Sequence, residues 1–229
     1  MSDMAGKVAL ITGASRGFGR AAPRRRAAGG GAVFALARTQ GGLEELDDEI
    51  RAAGGAATLV PLDIRDDEGL KRLGAAIHAR WGRLDFWLHT AAHATPLSPA
   101  EHILPKELDT ALATNVRSLS RLVVMLDPLL RLSDNGVAAL PVEPEVGHPF
   151  GGLWGLTKAA QRALLESWGA EAERRFRVLT LLCPPMPTAW RARFHPGEPR
   201  DRLTPTDTVA ARLVERFAAA PAGRPLDLR

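Results

Sequence analysis

The 229 residues are 45% hydrophobic, enough for one α/β domain with a sizeable core. Lys and Arg (30) nearly balance Asp and Glu (26), so the net charge of +4 comes without a basic block interleaved with aromatics, and no nucleic-acid partner is expected. The single cysteine, Cys183, forbids an internal disulfide and fits a reducing cytoplasm; no apolar run nears the ~20 residues of a membrane span, none in Met1–Ile11 resembles a signal peptide, and no metal site is expected.

In chain order, the apolar run Val8-Ala9-Leu10-Ile11 predicts a buried strand. It leads into Thr12-Gly13-Ala14-Ser15-Arg16-Gly17-Phe18-Gly19, and then into an Ala/Arg-rich stretch that reads as a helix over Arg20–Ala28. A strand, a glycine turn and a helix start make an anion site. Glycine takes the turn's backbone angles and lets the main chain approach a pyrophosphate, and the helix's orphan N–H groups face that charge. Pro23 damages this helix, at ~3 kcal/mol in a helix interior, and its inward face runs from Phe18 through Ala22 to Arg25 or Arg26 and Gly29.

Ala32–Ala37 is the second strand and Gly41–Ala53 the second helix, with Leu43, Leu46, Ile50 and Ala53 on one face. Ala57–Leu62 is the third strand, ending at Asp63. Asp66–Trp81 reads as a helix with Asp66 as N-cap and Leu70, Leu73 and Ile77 inward. Leu84–His89 is the fourth strand. A polar connection, His93–Pro105, precedes a long helix marked by Leu108, Leu112, Leu119, Leu122, Leu126 and Leu130. Gly136–Val142 is the fifth strand, Leu153–Phe176 another helix and Val178–Leu182 the sixth strand. Cys183–Pro205 is Pro-rich and irregular, and its length suggests a lid. Thr206 or Asp207 caps a last helix running to about Ala219, and Leu226-Asp227-Leu228 suits a short final strand. Alternating strands and helices imply one doubly wound parallel sheet of Rossmann type, a single domain over 1–229, with ligands at the carboxyl ends of the strands.

Over nearly its whole length the chain resembles the short-chain dehydrogenase/reductase family. Thr12-Gly13…Gly17-Phe18-Gly19 matches that family's TGxxxGxG loop, and Asp63 its adenine-contacting acid, followed by Ile64. His89-Thr90-Ala91-Ala92 takes the place of Asn-Asn-Ala-Gly, keeping one residue, and Asn115 matches the long-helix Asn. Trp154-Gly-Leu-Thr-Lys158 takes the place of Tyr-x-x-x-Lys, and Pro184-Pro185-Met186-Pro187-Thr188 that of the Pro-Gly segment against nicotinamide, with Pro185 for Gly. The resemblance implies a nicotinamide cofactor held by Gly13, Ser15, Arg16, Gly17, Phe18, Gly19, Arg38, Thr39, Asp63, Ile64, Ala91, Ala92, Lys158, Pro184 and Thr188. The second strand ends Ala37-Arg38-Thr39 rather than in an acid. Arg38 and Arg16 can clasp a 2′-phosphate, so NADP(H) is expected over NAD(H).

In the family a Tyr hydroxyl exchanges the proton as hydride passes between nicotinamide and a carbonyl carbon, the Lys one helical turn on lowers its pKa and holds the ribose, a Ser orients the carbonyl, and the Asn completes a water relay. Here the sequence contains no tyrosine at all. Trp154 stands in its place, and an indole N–H donates a hydrogen bond but has no acid–base role near neutrality. The Ser position falls on Pro141 or Val142, neither with a hydroxyl. Asn115 and Lys158 are what remains of the catalytic set. His93 or His148 could face the cleft as substitutes, whereas Ser133 and Ser167 read as helix-surface residues and Trp87 and Trp168 as core or interface.

Two functions follow: an oxidoreductase by descent, acting weakly or not at all on a small-molecule carbonyl or alcohol; or a non-catalytic cofactor-sensing or scaffolding protein. The resemblance also implies a homodimer or homotetramer through Leu108–Leu132 and Leu153–Phe176.

Overall fold

A computed structural model describes residues 6–27, 30–142, 147–172 and 175–229, with the side chains of 24–27 left out. The expected inward face at Arg25 or Arg26 and Gly29 lies outside the described residues.

Seven strands form one parallel sheet in the order β3-β2-β1-β4-β5-β6-β7. They are β1 (Val8–Thr12), β2 (Ala32–Ala37), β3 (Ala57–Pro61), β4 (Phe86–His89), β5 (Gly136–Pro141), β6 (Phe176–Leu182) and β7 (Leu226–Asp227). The chain winds outward from β1 to β3, then crosses back to lay β4 on the other side of β1, with Thr12 in register with His89. The crevice between β1 and β4 is thus the reversal point of the strand order, where open α/β sheets take ligands. Strand β1 is buried at all five positions, as a central parallel strand with both faces covered must be.

Two apolar layers flank the sheet. On one face α1 (Gly17–Ala27), α2 (Gln40–Ala52) and α8 (Thr206–Arg216) bury Phe18, Leu43, Leu46, Ile50, Val209 and Leu213 against Ile11, Val33 and Ala35. On the other, α3 (Asp67–Trp81), α5 (Ser118–Arg131) and α6 (Gly152–Glu171) bury Leu73, Ile77, Leu122, Leu126, Leu165 and Trp168 against Leu10, Trp87 and Ala138. Trp87 and Trp168 are core residues, their rings 6.1 Å apart edge to face. The Asp66 carboxylate caps α3, accepting from the Gly69 N–H at 2.9 Å.

Several boundaries differ from expectation. Helix α1 begins three residues earlier, at Gly17, and carries Pro23 inside it without breaking. Ala53 lies beyond α2 and is exposed, while Asp47 is the buried residue on that face. The stretch read as one long helix is α4 (Pro105–Ala111), a π-helical turn over Leu112–Arg117, and then α5. The wider turn breaks the leucine spacing, so Leu108 and Leu112 are half-buried while Leu119 to Leu130 sit in the core. Helix α6 stops at Glu171, and Phe176, expected at the end of that helix, opens β6. Thr206 is the first residue of α8 rather than its cap; Pro205 precedes it with no side-chain cap. The Pro-rich 183–205 stretch holds a short helix, α7 (Ala189–Phe194), whose Thr188 hydroxyl accepts from the Arg191 N–H at 3.2 Å.

Candidate functional site

A cavity of about 860 Å³ opens along the carboxyl edge of the sheet. It is lined by Gly13, Ser15, Arg16, Gly17, Phe18, Gly19, Arg38, Thr39, Asp63, Ile64, Ala91, Ala92, Pro141, Val142, Trp154, Lys158, Pro184 and Thr188. Two sequence-selected residues stay out of it: Asn115 and His93.

At one end the glycine loop sets the floor. The Gly13 and Ala14 N–H groups both donate to the Leu36 carbonyl, at 2.8 and 3.0 Å, so the loop is stapled to β2. Gly13 has φ +86°, and a Cβ on it would lie 2.5 Å from the Ala91 nitrogen. A Cβ on Gly19 would strike the Thr90 hydroxyl and the Gly13 carbonyl. These two glycines let the loop press against the turn after β4; Gly17, with φ +58°, then starts α1. The first turn of α1 has no acidic residue, so its positive end is uncompensated and faces the cavity. Arg16 and Arg38 stand exposed at the rim. A close-approach loop, an open helix N-terminus and two guanidinium groups fit a phosphate-bearing dinucleotide.

Asp63 is not bare. Arg65 donates to it from its backbone N–H at 2.9 Å and from Nε and Nη2 at 2.7–3.2 Å. The Arg65 side chain holds the carboxyl below the usual carboxylate range; partial burial opposes this, and Arg38 adds to it.

At the other end, Lys158 is nearly buried, with its Nζ 4.6 Å from the centroid of the Trp154 ring and 5.8 Å from that of Trp190. Trp190 meets Trp154 edge to face at 4.2 Å, and Phe194 packs at 5.9 Å. Sequence reasoning placed Trp154 and Lys158 together one turn apart on α6. It did not foresee that α7 folds two further aromatic rings over them. Pro141 and Val142 line the cavity beside this cluster and present no hydroxyl.

Asn115 lies wholly buried in the π-helical turn. Its Oδ1 accepts the His93 N–H at 2.7 Å, its Nδ2 donates to the His93 carbonyl at 3.0 Å and to the Thr157 hydroxyl at 3.2 Å. Gln161 Nε2 donates to the Asn115 carbonyl at 2.7 Å. Asn115 therefore clamps the loop after β4 to α6. The His93 side chain is not at the cavity; its Nε2 lies 3.5 Å from a Glu107 carboxylate oxygen, and the reason is that the backbone of His93 is what Asn115 holds. His148 does line the cavity.

In the sequence His89 is a departure from the family's Asn-Asn-Ala-Gly motif and nothing more. It is buried at the end of β4, its Nδ1 sharing a 2.7 Å hydrogen bond with the Thr12 hydroxyl, which also accepts from Trp87 Nε1 at 3.3 Å. Burial, with Lys158 adding to it, pushes its pKa down to about 3, so the ring is neutral at pH 7. Ser133 is likewise no surface residue: it is buried and donates to Asp85 at 2.6 Å, at the opposite edge of the sheet. Ser167 is exposed, bonded to Glu171 at 2.9 Å. Among the described residues no cluster of ligating side chains could hold a metal ion, and no helix is long and apolar enough to cross a membrane.

Comparison with known proteins agrees with this geometry. The family described as short chain dehydrogenase matches residues 7–198. A short chain dehydrogenase of Pseudocercospora fijiensis is 31% identical over 176 residues, covering 75% of this chain and 56% of that protein. An NADP-dependent 3-hydroxy acid dehydrogenase of Shigella flexneri is 28% identical over 157 residues, covering 68% of this chain and 62% of that one. The chain thus spans less than two thirds of these curated relatives. Among solved structures, one described as a short chain dehydrogenase of Pseudomonas syringae superposes with a TM-score of 0.91 at 27% identity, covering 99% of this chain and 96% of that one. Another so described, from Shigella flexneri and complexed with NADP, gives 0.91 at 24%, covering 100% and 99%.

Proposed function

The chain belongs to the short-chain dehydrogenase family, and on that premise we propose that residues 1–229 form one NADP(H)-binding domain whose carbonyl/alcohol hydride transfer is weak or lost. Bound in the cavity, the nicotinamide cofactor would supply or accept a hydride. Gly13, Ser15, Gly17, Phe18 and Gly19 form its pyrophosphate cradle, Arg16, Arg38 and Thr39 hold the 2′-phosphate, and Asp63 and Ile64 bound the adenine. Ala91, Ala92, Lys158, Pro184 and Thr188 enclose the nicotinamide half. The relative named as NADP-dependent and the neighbour solved with NADP support this choice over NAD(H).

The carrying observation is the Trp154 indole stacked against Lys158 at 4.6 Å. A carbonyl reduced in this cleft needs a proton on its oxygen. Trp154 cannot release one near neutrality, the buried His89 is neutral, and Pro141 and Val142 cannot orient the oxygen, which leaves the loop imidazoles His148 and His195 at the cavity without a hydroxyl partner at either family position. What the residues still do is bind, orient and exclude water.

The packing of Trp190 and Phe194 onto Trp154 favours one further reading, a non-catalytic cofactor sensor or scaffold with 183–205 as its lid. By family resemblance the protein is a homodimer or homotetramer whose substrate, if turned over, is a small carbonyl or alcohol; its single cysteine suits a reducing cytoplasm, and its charge balance and lack of a long apolar run suit a protein without a nucleic-acid or membrane partner. The test is NADPH consumption with simple aldehydes and ketones. The proposal expects rates roughly 10²–10⁴-fold below those of a complete catalytic set; ordinary enzyme rates contradict it.

A further inference from the structure

We propose that Arg65 is a selectivity residue for the cofactor's 2′-phosphate, acting by neutralising Asp63 at the adenosine end of the cleft. The inference rests on the NADP(H) reading above.

Asp63 is the only acidic side chain lining the cavity among the described residues, and it lies within electrostatic reach of Arg38. A bare carboxylate there would repel a phosphate dianion and offset half the attraction of Arg16 and Arg38. Arg65 prevents this with a two-pronged grip: its Nε lies 3.1 and 3.2 Å from the two carboxylate oxygens, its Nη2 2.7 Å from Oδ2, and its own N–H 2.9 Å from Oδ1. The planar fork matches the carboxylate plane, a geometry that Lys cannot reproduce. The grip leaves carboxylate lone pairs open to an adenine amino group, since an ionised carboxylate offers about four acceptor sites. With Arg65 in place, the group of Arg16, Arg38, Arg65 and Asp63 carries two net positive charges; without it, one. The Arg65 side chain is exposed, so its removal leaves the fold intact.

The experiment is fluorescence titration of NADPH and NADH, at low salt, into the wild type, Arg65→Leu, Arg65→Lys and the double variant Asp63→Asn/Arg65→Leu. The expected preference for NADPH falls about fivefold in Arg65→Leu, the order one partly screened charge several ångströms away supplies. It recovers in the double variant, where the unneutralised carboxylate is gone, and is mostly kept in Arg65→Lys. An unchanged preference in Arg65→Leu, or equal weakening of both cofactors, overturns the role given to Arg65 and leaves the NADP(H) reading standing. Failure of the wild type to bind either cofactor overturns both.

Discussion

The Lys158 ammonium lies 4.6 Å from the centre of the Trp154 indole, one helical turn back along α6. The spacing that in this family sets a lysine beside a tyrosine hydroxyl here sets it over an aromatic face. A cation–π contact of this kind is worth roughly 0.5–2 kcal/mol, more as water is excluded. It holds Lys158 in place but sets an indole beside it where the family has a titratable hydroxyl.

Restoring Trp154→Tyr alone leaves turnover within about tenfold of the wild type, because no hydroxyl stands at the β5 end to orient a carbonyl. Adding Pro141→Ser or Val142→Ser brings the gain toward the ~10²-fold at the low end of general acid catalysis. Steady-state NADPH consumption by the three variants checks this, and full recovery in the single variant would contradict it.

Trp190→Ala removes the 4.2 Å edge-to-face contact that ties α7 to α6. Such pairs contribute about 0.5–1.5 kcal/mol beyond the area they bury. Denaturant unfolding should show a loss of that order or greater, with increased quenching of the remaining tryptophans by acrylamide. An unaltered midpoint and quenching would mean that α7 does not rest on Trp154.

His89 links stability to pH. Its folded value is near 3, against 6.5 for an ordinary imidazole, so on acidification the unfolded chain takes up the proton first. The stabilisation is complete above about pH 6.5 and is lost as pH falls from there toward 3, at a slope approaching ~1.4 kcal/mol per unit. His89→Asn should flatten the urea-midpoint profile between pH 6.5 and 4, a window above the depressed carboxylates Asp63 and Asp127. An equal slope in both proteins would refute the assignment.

Gly13→Ala forces a side chain into φ +86° and against the Ala91 nitrogen. Strain of this kind is worth on the order of 1–3 kcal/mol. The variant should unfold at lower denaturant and bind cofactor more weakly; unchanged binding would mean the loop does not form the phosphate cradle.

The glycine loop was legible in the sequence because its requirement is local: a strand, a turn only glycine can make, a helix start. The Trp154–Lys158 pair was legible for the same reason, being one turn apart on a single helix. Partners brought in from elsewhere were not. Nothing in Trp190 or Phe194 announces that α7 will cover Trp154, and nothing in Ser133 that it will reach back to Asp85. The π-helical turn at Leu112–Arg117 escaped because leucine spacing averages over a single widened turn, and it is that turn which carries Asn115 into the interior. His93 misled because its backbone, not its ring, is the functional part. His89 drew no attention as a residue out of place in a motif; a polar side chain ending a fully buried strand was the available signal.

Isothermal titration of the unmodified protein with NADPH and NADH tests the central claim most directly. The account predicts saturable binding of both, tighter for NADPH, by a chain that turns over simple carbonyls slowly or not at all. Absence of heat from either cofactor up to about millimolar concentration, the weak end of ordinary affinities, would contradict it.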